Sequence, residues 1–280
     1  GEKGLRNNHT VCRPPVLPFA LSVLTLCYNN ITKSLIMEEK MKKWYNKLFL
    51  NDIRAAVEKY NMINDGDKIL VGLSGGKDSI FLLYSLLLLK QNSYINFKLC
   101  GLHIDIGIGI NMERVEKFCH DNNVPYIYEN IDIKEQIFSG KQSPCYLCSK
   151  MKRGAMARIA KENNMNKIAL GHHETDVVIT FLLNLIYTGK METFKPNSIN
   201  EKHGLQLIRP LVYVEEETIK KIVKDECLPL GTEKYCPQDK KNKRAEIAEL
   251  LNTIKEKYPD FEQKTIKAIE NYKDGFKLWL

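Results

Sequence analysis

The chain has 280 residues and a formal net charge of +8, from 42 basic and 34 acidic side chains. Its composition, 44% hydrophobic and 27% charged, excludes a collagen-like, coiled-coil or wholly disordered protein. Beyond the N-terminal region the longest apolar stretch, Ile80 to Leu89, is interrupted by Tyr84 and Ser85. It falls well short of the roughly 20 residues that a membrane span needs, which excludes a polytopic membrane protein.

Residues 1–36 differ from the rest of the chain. They contain three prolines and an apolar run, 16–28, that is too short to span a bilayer. We expect an extension that is poorly ordered, with a signal or transit segment as the alternative. Residues 37–64 are the first with good helical composition, and we predict an N-terminal helical segment there.

From that point, short apolar runs that predict strands alternate with periodic segments that predict helices. The predicted helices are 50–61, 78–90, 112–122, 148–163, 174–188, 215–226, 242–257 and 261–274, and the predicted strands are 68–73, 97–104, 125–128, 167–170 and 205–208. This alternation predicts an α/β fold, a Rossmann-like parallel sheet with helices on both faces. We expect the sheet domain to span 65–228, followed by a C-terminal helical segment, 229–280.

The sharpest motif joins the first predicted strand to the following helix. It consists of Ser74, Gly75, Gly76, Lys77, Asp78 and Ser79. Two glycines allow a tight turn whose N–H groups approach an anion, and the helix N-terminus adds partial positive charge. Lys77 can neutralise phosphate, and Asp78 can cap the helix or bind Mg²⁺. The alternative is an ordinary glycine turn.

This motif resembles the PP-loop of the N-type ATP pyrophosphatases, which cleave ATP to AMP and pyrophosphate while adenylating a carbonyl-type oxygen. Two further segments are similar to that family. They are Leu102 to Asp105, after the second strand, and Gly171 to Asp176, after the fourth. The resemblance implies that they help to bind ATP and Mg²⁺ through His103, Asp105, Gly171, His172 and Asp176. Ligands bind at strand C-termini in such sheets, so we expect the three segments to share one crevice.

Cys145 and Cys148 form a Cys-x-x-Cys pair, which in an intracellular protein indicates metal, cluster or redox chemistry. A structural zinc ion would need further ligands at finger spacing. A redox or persulfide-carrying dithiol is also open, because Cys148 begins a predicted basic helix that would lower its pKa. Cys100, in a predicted strand, is expected to be a buried apolar residue.

The sequence around this pair resembles the tRNA 2-thiocytidine synthetases from about residue 50 to about residue 259. The matching segments are Pro144 to Cys148, Met151 to Gly154, Gly189 to Met191, Ile208 to Leu211, and Cys236 ahead of Asn242. The resemblance implies that Cys145, Cys148 and Cys236 hold a [4Fe–4S] cluster with one iron open to sulfur. It further implies ATP-dependent thiolation of a tRNA cytidine in the cytoplasm, with Lys77, Asp78 and the three cysteines as catalytic residues.

Departures from the family pattern leave the target base open. Glu233 stands where the family often has another cysteine. Cysteine desulfurase or sulfide is the implied sulfur donor, and a homodimer is left open. The other functions we consider are a thiolase for another tRNA base, a lysidine-type tRNA ligase that uses ATP without a cluster, and a non-enzymatic nucleotide or cluster sensor.

Two basic runs lie beside the cysteines and are predicted to bind RNA phosphates. They comprise Lys150, Lys152, Arg153, Arg158, Lys240, Lys241, Lys243 and Arg244. Two solvated helix faces are the alternative interpretation.

Overall fold

The computed structural model describes residues 43–92, 95–107, 109–131, 144–200, 204–232 and 243–272. The predicted extension 1–36, Cys236, Lys240 and Lys241 lie outside these ranges, as does the side chain of Cys145. Within the ranges, no helix combines the length and the apolar character that crossing a bilayer requires.

The described elements follow the predicted alternation. The helices are α1 (Asn51–Lys59), α2 (Lys77–Gln91), α3 (Glu113–Asp121), α4 (Pro144–Glu162), α5 (Glu174–Thr188), α6 (Glu216–Asp225), α7 (Lys243–Lys257) and α8 (Phe261–Asn271). The strands are β1 (Lys68–Gly72), β2 (Lys98–Asp105), β3 (Tyr126–Asn130), β4 (Lys167–Ala169), β5 (Asn197–Asn200) and β6 (Leu205–Ile208). One turn of π-helix, Asn46–Leu50, precedes α1.

The six strands form one sheet in the order β3-β2-β1-β4-β6-β5. Five strands are parallel, and β5 pairs with β6 in the antiparallel sense. Leu70 in β1 pairs with Cys100 on one side and with Ile168 on the other. Successive strands run outward from β1 in one direction and from β4 in the other, so the strand order reverses between them. Such a switch point opens a crevice at the carboxyl ends of the strands.

The two faces of the sheet carry separate cores. On one face α4 packs through Ala157, Ile159 and Ala160 against Leu70, Leu102 and other strand residues. The opposite face packs against α2, α3, α5 and α6, and buried residues of α1, α7 and α8 join that cluster. The predicted fold class, a parallel sheet with helices on both faces and terminal helices, is therefore confirmed. The domain boundaries at 64/65 and 228/229 remain predictions, since core contacts cross both.

Three local features differ from the prediction. Strand β5 was missed because Asn-Ser-Ile-Asn carries no apolar alternation, as suits an edge strand whose Ile199 is 70% exposed. The π-helical turn before α1 has no sequence signal that we recognise. The start of α4 was predicted at Cys148 and lies at Pro144. Proline is favoured at the first position of a helix, because its ring presets the backbone angle and its missing N–H is not needed there.

Candidate functional site

The loop between β1 and α2 forms a compact turn that leaves backbone N–H groups at the helix start. Gly75 has φ +86°, a left-handed conformation that glycine adopts without strain. The Ser74 N–H donates to Ser79 Oγ at 3.1 Å, and the Gly76 N–H donates to Ser74 Oγ at 3.3 Å. Ser79 Oγ in turn donates to the Gly76 carbonyl at 2.8 Å. The two serines therefore stabilise the turn by hydrogen bonds within it.

Two glycines let other segments pack directly on this loop. A Cβ on Gly171 would lie 2.7 Å from the Asp78 carbonyl oxygen, so the end of β4 can approach α2 only as glycine. On the other side, the Gly231 N–H donates to the Gly75 carbonyl at 3.0 Å. The loop is therefore fixed between the end of β4 and the segment that follows α6.

Lys77 is held by two carboxylates. Its Nζ lies 3.1 Å from Asp78 Oδ1 and 3.0 Å from Glu216 Oε1, at the start of α6. Although burial alone would lower the pKa of Lys77, the two carboxylates raise it above its usual value. The same ion pair lowers the pKa of Glu216, against the effect of burial. Lys77 therefore stays charged and lies where incoming phosphates can replace its carboxylate partners.

The two histidines after β4 have different neighbours. The imidazole of buried His173 lies 3.7 Å from Asp78 Oδ1 and 3.5 Å from Asp176 Oδ2, beside the loop. Its backbone N–H donates to Asp176 Oδ2 at 3.0 Å, which caps α5. His172 instead lies with its ring centroid 5.0 Å from that of Phe194. The predicted role of His172 in binding ATP remains a prediction, and His173 is the imidazole beside the loop.

Asp176 joins the site to α7. Its Oδ1 forms an ion pair with Arg244, and its Oδ2 is the acceptor at the α5 cap. Among the described residues, no three His, Cys, Asp or Glu side chains group closely enough to hold a metal ion. One or two carboxylates are sufficient for Mg²⁺ when substrate phosphates supply further oxygens. Asp78 and Asp176 are the carboxylates positioned for that arrangement.

The carboxyl end of β2 brings His103 and Asp105 to the same edge of the sheet. His103 is buried, and its Nδ1 donates to the Leu73 carbonyl at 2.8 Å, while its Nε2 has no hydrogen-bond partner in the described structure. Burial lowers the pKa of His103, so the ring is neutral. Asp105 accepts from Tyr128 OH at 2.9 Å and from the Gly107 N–H at 2.9 Å. These bonds lower the pKa of Asp105 despite its partial burial.

Helix α4 carries the Cys-x-x-Cys pair. Cys145 lies in its first turn and Cys148 in its second, so the prediction that Cys148 begins this helix is wrong. Cys148 is half-buried and packs against the core cluster that includes Ile104 at the end of β2. It therefore lies on the face of the sheet that α4 covers.

The next turn of α4 carries two basic residues that influence groups at the ends of strands. After burial, Lys152 contributes to the lowered pKa of His103, in β2. The pKa of Arg209, which directly follows β6, is lowered to about 10 by burial and by the charge of Arg153.

The predicted RNA-binding residues differ in how their charges are used. Lys150 and Arg153 are exposed on α4. Arg158 forms ion pairs with Glu129 and Glu162, so its charge is already compensated. On α7, Lys243 Nζ lies 4.1 Å from the ring centroid of Tyr187, and Arg244 pairs with Asp176.

Comparison with known proteins identifies this arrangement. A family model described as a PP-loop domain matches residues 37–250. The tRNA-cytidine(32) 2-sulfurtransferase of Dechloromonas aromatica (strain RCB) is 34% identical over 221 residues, 77% of this chain and 77% of that protein. The chain belongs to the PP-loop family, in the tRNA-cytidine(32) 2-sulfurtransferase group. The enzymes of that name from Haemophilus influenzae (strain 86-028NP) and Burkholderia multivorans (strain ATCC 17616 / 249) are 34% and 35% identical. Both alignments cover 84% of this chain, and 79% and 73% of those proteins respectively.

A solved structure is similar in fold. It is the U34-tRNA thiolase NcsA from Methanococcus maripaludis with its [4Fe-4S] cluster, and it aligns with a TM-score of 0.65. The alignment covers 84% of this chain and 81% of that chain at 19% identity. At that identity the likeness supports the fold alone, and it agrees with the PP-loop sheet described above.

Sequence reasoning about the PP-loop missed three partners. Glu216 binds Lys77, Gly231 binds the loop backbone, and Tyr128 binds Asp105. Their contacts are tertiary and leave no local pattern. The position of His173 did have a signal, because residues alternate between the two faces of a strand and the residue before α5 is its cap.

Proposed function

We propose that this protein is an ATP-dependent tRNA thiolase that replaces the C2 oxygen of cytidine 32 with sulfur at a [4Fe–4S] centre. Two helices on opposite faces of one sheet carry the proposal: α2, which begins at the PP-loop, and α4, which holds Cys145 and Cys148. The chain also belongs to the family whose relatives bear that activity in their names.

The nucleotide half of the reaction relies on the PP-loop. The N–H groups at the start of α2 and the ammonium group of Lys77 face the developing charge on pyrophosphate. Asp78 and Asp176 are the ligands for Mg²⁺, and Asp105 and His103 lie where the nucleoside is expected. Lys77 leaves Glu216 for the phosphates, which exchanges one anionic partner for another and keeps the charge compensated.

The donor set fits a cluster. Cys145 and Cys148, three positions apart in α4, would supply two thiolates, and Cys236 would supply the third. When bound by three thiolates, a [4Fe–4S] cluster supplies an open iron site that can carry sulfur.

The RNA half of the reaction uses the basic surface of α4. Lys150, Lys152 and Arg153 bind tRNA phosphates, and an unstacked loop base enters the crevice. Its C2 oxygen attacks the α-phosphate of ATP, and pyrophosphate leaves. A sulfur nucleophile then adds to the activated C2 carbon, and AMP departs with the original oxygen.

Cysteine variants test the proposal directly. In anaerobically purified protein, Cys145→Ser, Cys148→Ser and Cys236→Ser should each lose iron and sulfide and stop forming thiolated nucleoside, while ATP still binds. Cys100→Ala is the matched control, since this residue is 2% exposed and its burial raises the pKa of the thiol to about 11. It should retain the cluster and the activity. Thiolation at the wild-type rate by Cys236→Ser would falsify the cluster assignment.

The same experiment separates the other functions. A lysidine-type ligase would release pyrophosphate in the presence of tRNA with all three cysteines replaced. A sensor would bind nucleotide without tRNA-dependent pyrophosphate release. Nucleoside mass spectrometry on transcribed tRNA identifies the base that gains sulfur, and a thiolated uridine would move the proposal to another base.

Three further features belong to the proposal. Cysteine desulfurase or sulfide supplies the sulfur, and the protein acts in the cytoplasm, where tRNA is matured. A homodimer is favoured by exposed apolar side chains near the end of α5 and on α7, which a soluble protein tends to cover. They are Leu185, Ile186, Tyr187, Met191 and Leu250. Sedimentation of a monomer at all protein concentrations would exclude the dimer.

A further inference from the structure

The residue after β6 is a buried cation without an anion. Arg209 is only 8% exposed, and its guanidinium lies 4.8 Å from the ring centroid of Phe194. Nη1 donates to the Lys195 carbonyl at 2.5 Å, but Nε has no hydrogen-bond partner in the described structure. No carboxylate of the described residues forms an ion pair with it. An uncompensated buried charge strongly destabilises a folded protein, so such a group normally has an anionic partner.

A second orphan group lies beside it. The ring of His172, at the end of the neighbouring strand β4, contacts the same Phe194. Its Nδ1 is buried and has no partner in the described structure. Burial and the charge of Arg209 lower the pKa of His172 to about 4, so the imidazole is neutral near pH 7. A neutral ring can present an N–H at Nδ1 and donate to an oxyanion.

Both groups follow the ends of strands, where Leu170 and Leu207 pack against the α4 cluster. Their common neighbour Phe194 packs against the cluster on the opposite face, so the two groups lie between the two cores. Arg153 of α4 faces Arg209 closely enough to lower its pKa. The two guanidinium groups therefore repel each other.

We propose that Arg209 and Arg153, with His172 beside them, bind one phosphate of the RNA backbone next to the target nucleotide. A phosphodiester matches the planar fork of arginine and removes the repulsion between the two guanidinium groups. This inference rests on the proposed function, and it assigns a specific phosphate contact that the exposed basic runs do not define.

The phosphates of ATP are a less suitable ligand for Arg209 and Arg153 than a phosphate of RNA. The PP-loop, which is proposed to bind ATP, follows β1, whereas Arg209 follows β6, two strands away in the sheet. Neighbouring strands lie about 4.8 Å apart, which puts the two strand ends roughly 10 Å from each other. The contact between Gly171 and Asp78 also ties the loop to the α2 side of β4. The two anion sites are thus distinct.

The test measures equilibrium binding of a transcribed tRNA with cytidine at position 32 as NaCl is varied. Arg209→Gln and Arg153→Ala should each weaken binding about tenfold near 0.1 M salt and reduce the salt slope by about one. The double variant should lose little more than Arg209→Gln alone, because one phosphate is shared. Arg209→Lys should restore the slope but only part of the affinity. Lys224→Gln, which removes an exposed charge near the end of α6, is the control and should match wild type.

The outcomes separate this inference from the proposed function. An unchanged salt slope of tRNA binding in folded Arg209→Gln overturns the inference. A raised dissociation constant for ATP in that variant also overturns it, because the bound phosphate would then belong to ATP. If Arg209→Gln does not fold, the exposed Arg153→Ala still decides, since an unchanged slope there is equally fatal. Wild-type protein that neither binds nor thiolates tRNA would instead refute the proposed function itself.

Discussion

Replacing Glu174 with glutamine should make folding less sensitive to pH. Glu174 is the first residue of α5, is 2% exposed, and its Oε2 has no hydrogen-bond partner in the described structure. Burial raises the pKa of this carboxyl to about 8, and the negative charges of Glu262 and Glu215 add to the effect. Lys255, which could compensate, forms an ion pair with Glu262. Glu174 is therefore protonated in the folded protein near pH 7.

The sign of the effect follows from the two states. The ordinary pKa of a glutamate carboxyl is 4.5. Below that pH both the folded and the unfolded chain hold the proton, and Glu174 contributes no pH dependence. Between pH 4.5 and about 8 the unfolded chain releases the proton and the folded chain keeps it. The free energy of unfolding then falls by about 1.4 kcal/mol for each pH unit. Glutamine fills nearly the same volume and cannot ionise, so the variant lacks this loss.

Urea unfolding at pH 5 and pH 7.5 measures the difference. The free energy of unfolding of Glu174→Gln, relative to wild type, should rise by about 3 kcal/mol between the two pH values. Glu249→Gln, at an exposed position of α7, corrects for the loss of one charge and should show no such rise. If wild type and Glu174→Gln change in parallel with pH, the carboxyl is ionised in the fold and the reasoning fails.

Two further variants probe the nucleotide site. Gly171→Ala would place a Cβ 2.7 Å from the Asp78 carbonyl, so β4 and α2 must separate at a cost of about 1–3 kcal/mol, and calorimetry should show about tenfold weaker ATP binding. Gly154→Ala, where an added Cβ meets nothing within 4 Å, should bind ATP as wild type does. Glu216→Gln removes a carboxylate that competes with phosphate for Lys77 and should tighten ATP binding about fivefold. Weaker binding would mean that Glu216 orients Lys77 instead.

The sequence predicts the layered fold well because burial is periodic. Helix α5 and strand β6 occur at the predicted residues, because the spacing of their apolar residues fits only one type of secondary structure. The sequence does not predict β5, which is held by pairing with β6 and not by its own composition. For α4 the apolar periodicity alone placed the start too late, because Pro144 sets the first turn through its backbone and not through burial.

The site is predictable only in part, for a related reason. Residues of one segment, such as Ser74 to Ser79, fold into a loop whose conformation is determined by the residue types within that segment. The partners of that loop come from distant segments whose contacts depend on strand order. Arg209 illustrates the limit, because its position after a strand is visible in the sequence, whereas the lack of a carboxylate around it is a property of the packed fold.

The residues that flank the segment of Cys236 contact two parts of the candidate site, the PP-loop and Asp176. The segment that carries Cys236 begins after Thr232, next to the hydrogen bond between Gly231 and Gly75, and it ends before Arg244, which pairs with Asp176. The described residues on both sides of this segment therefore contact the residues that are proposed to bind the nucleotide and Mg²⁺.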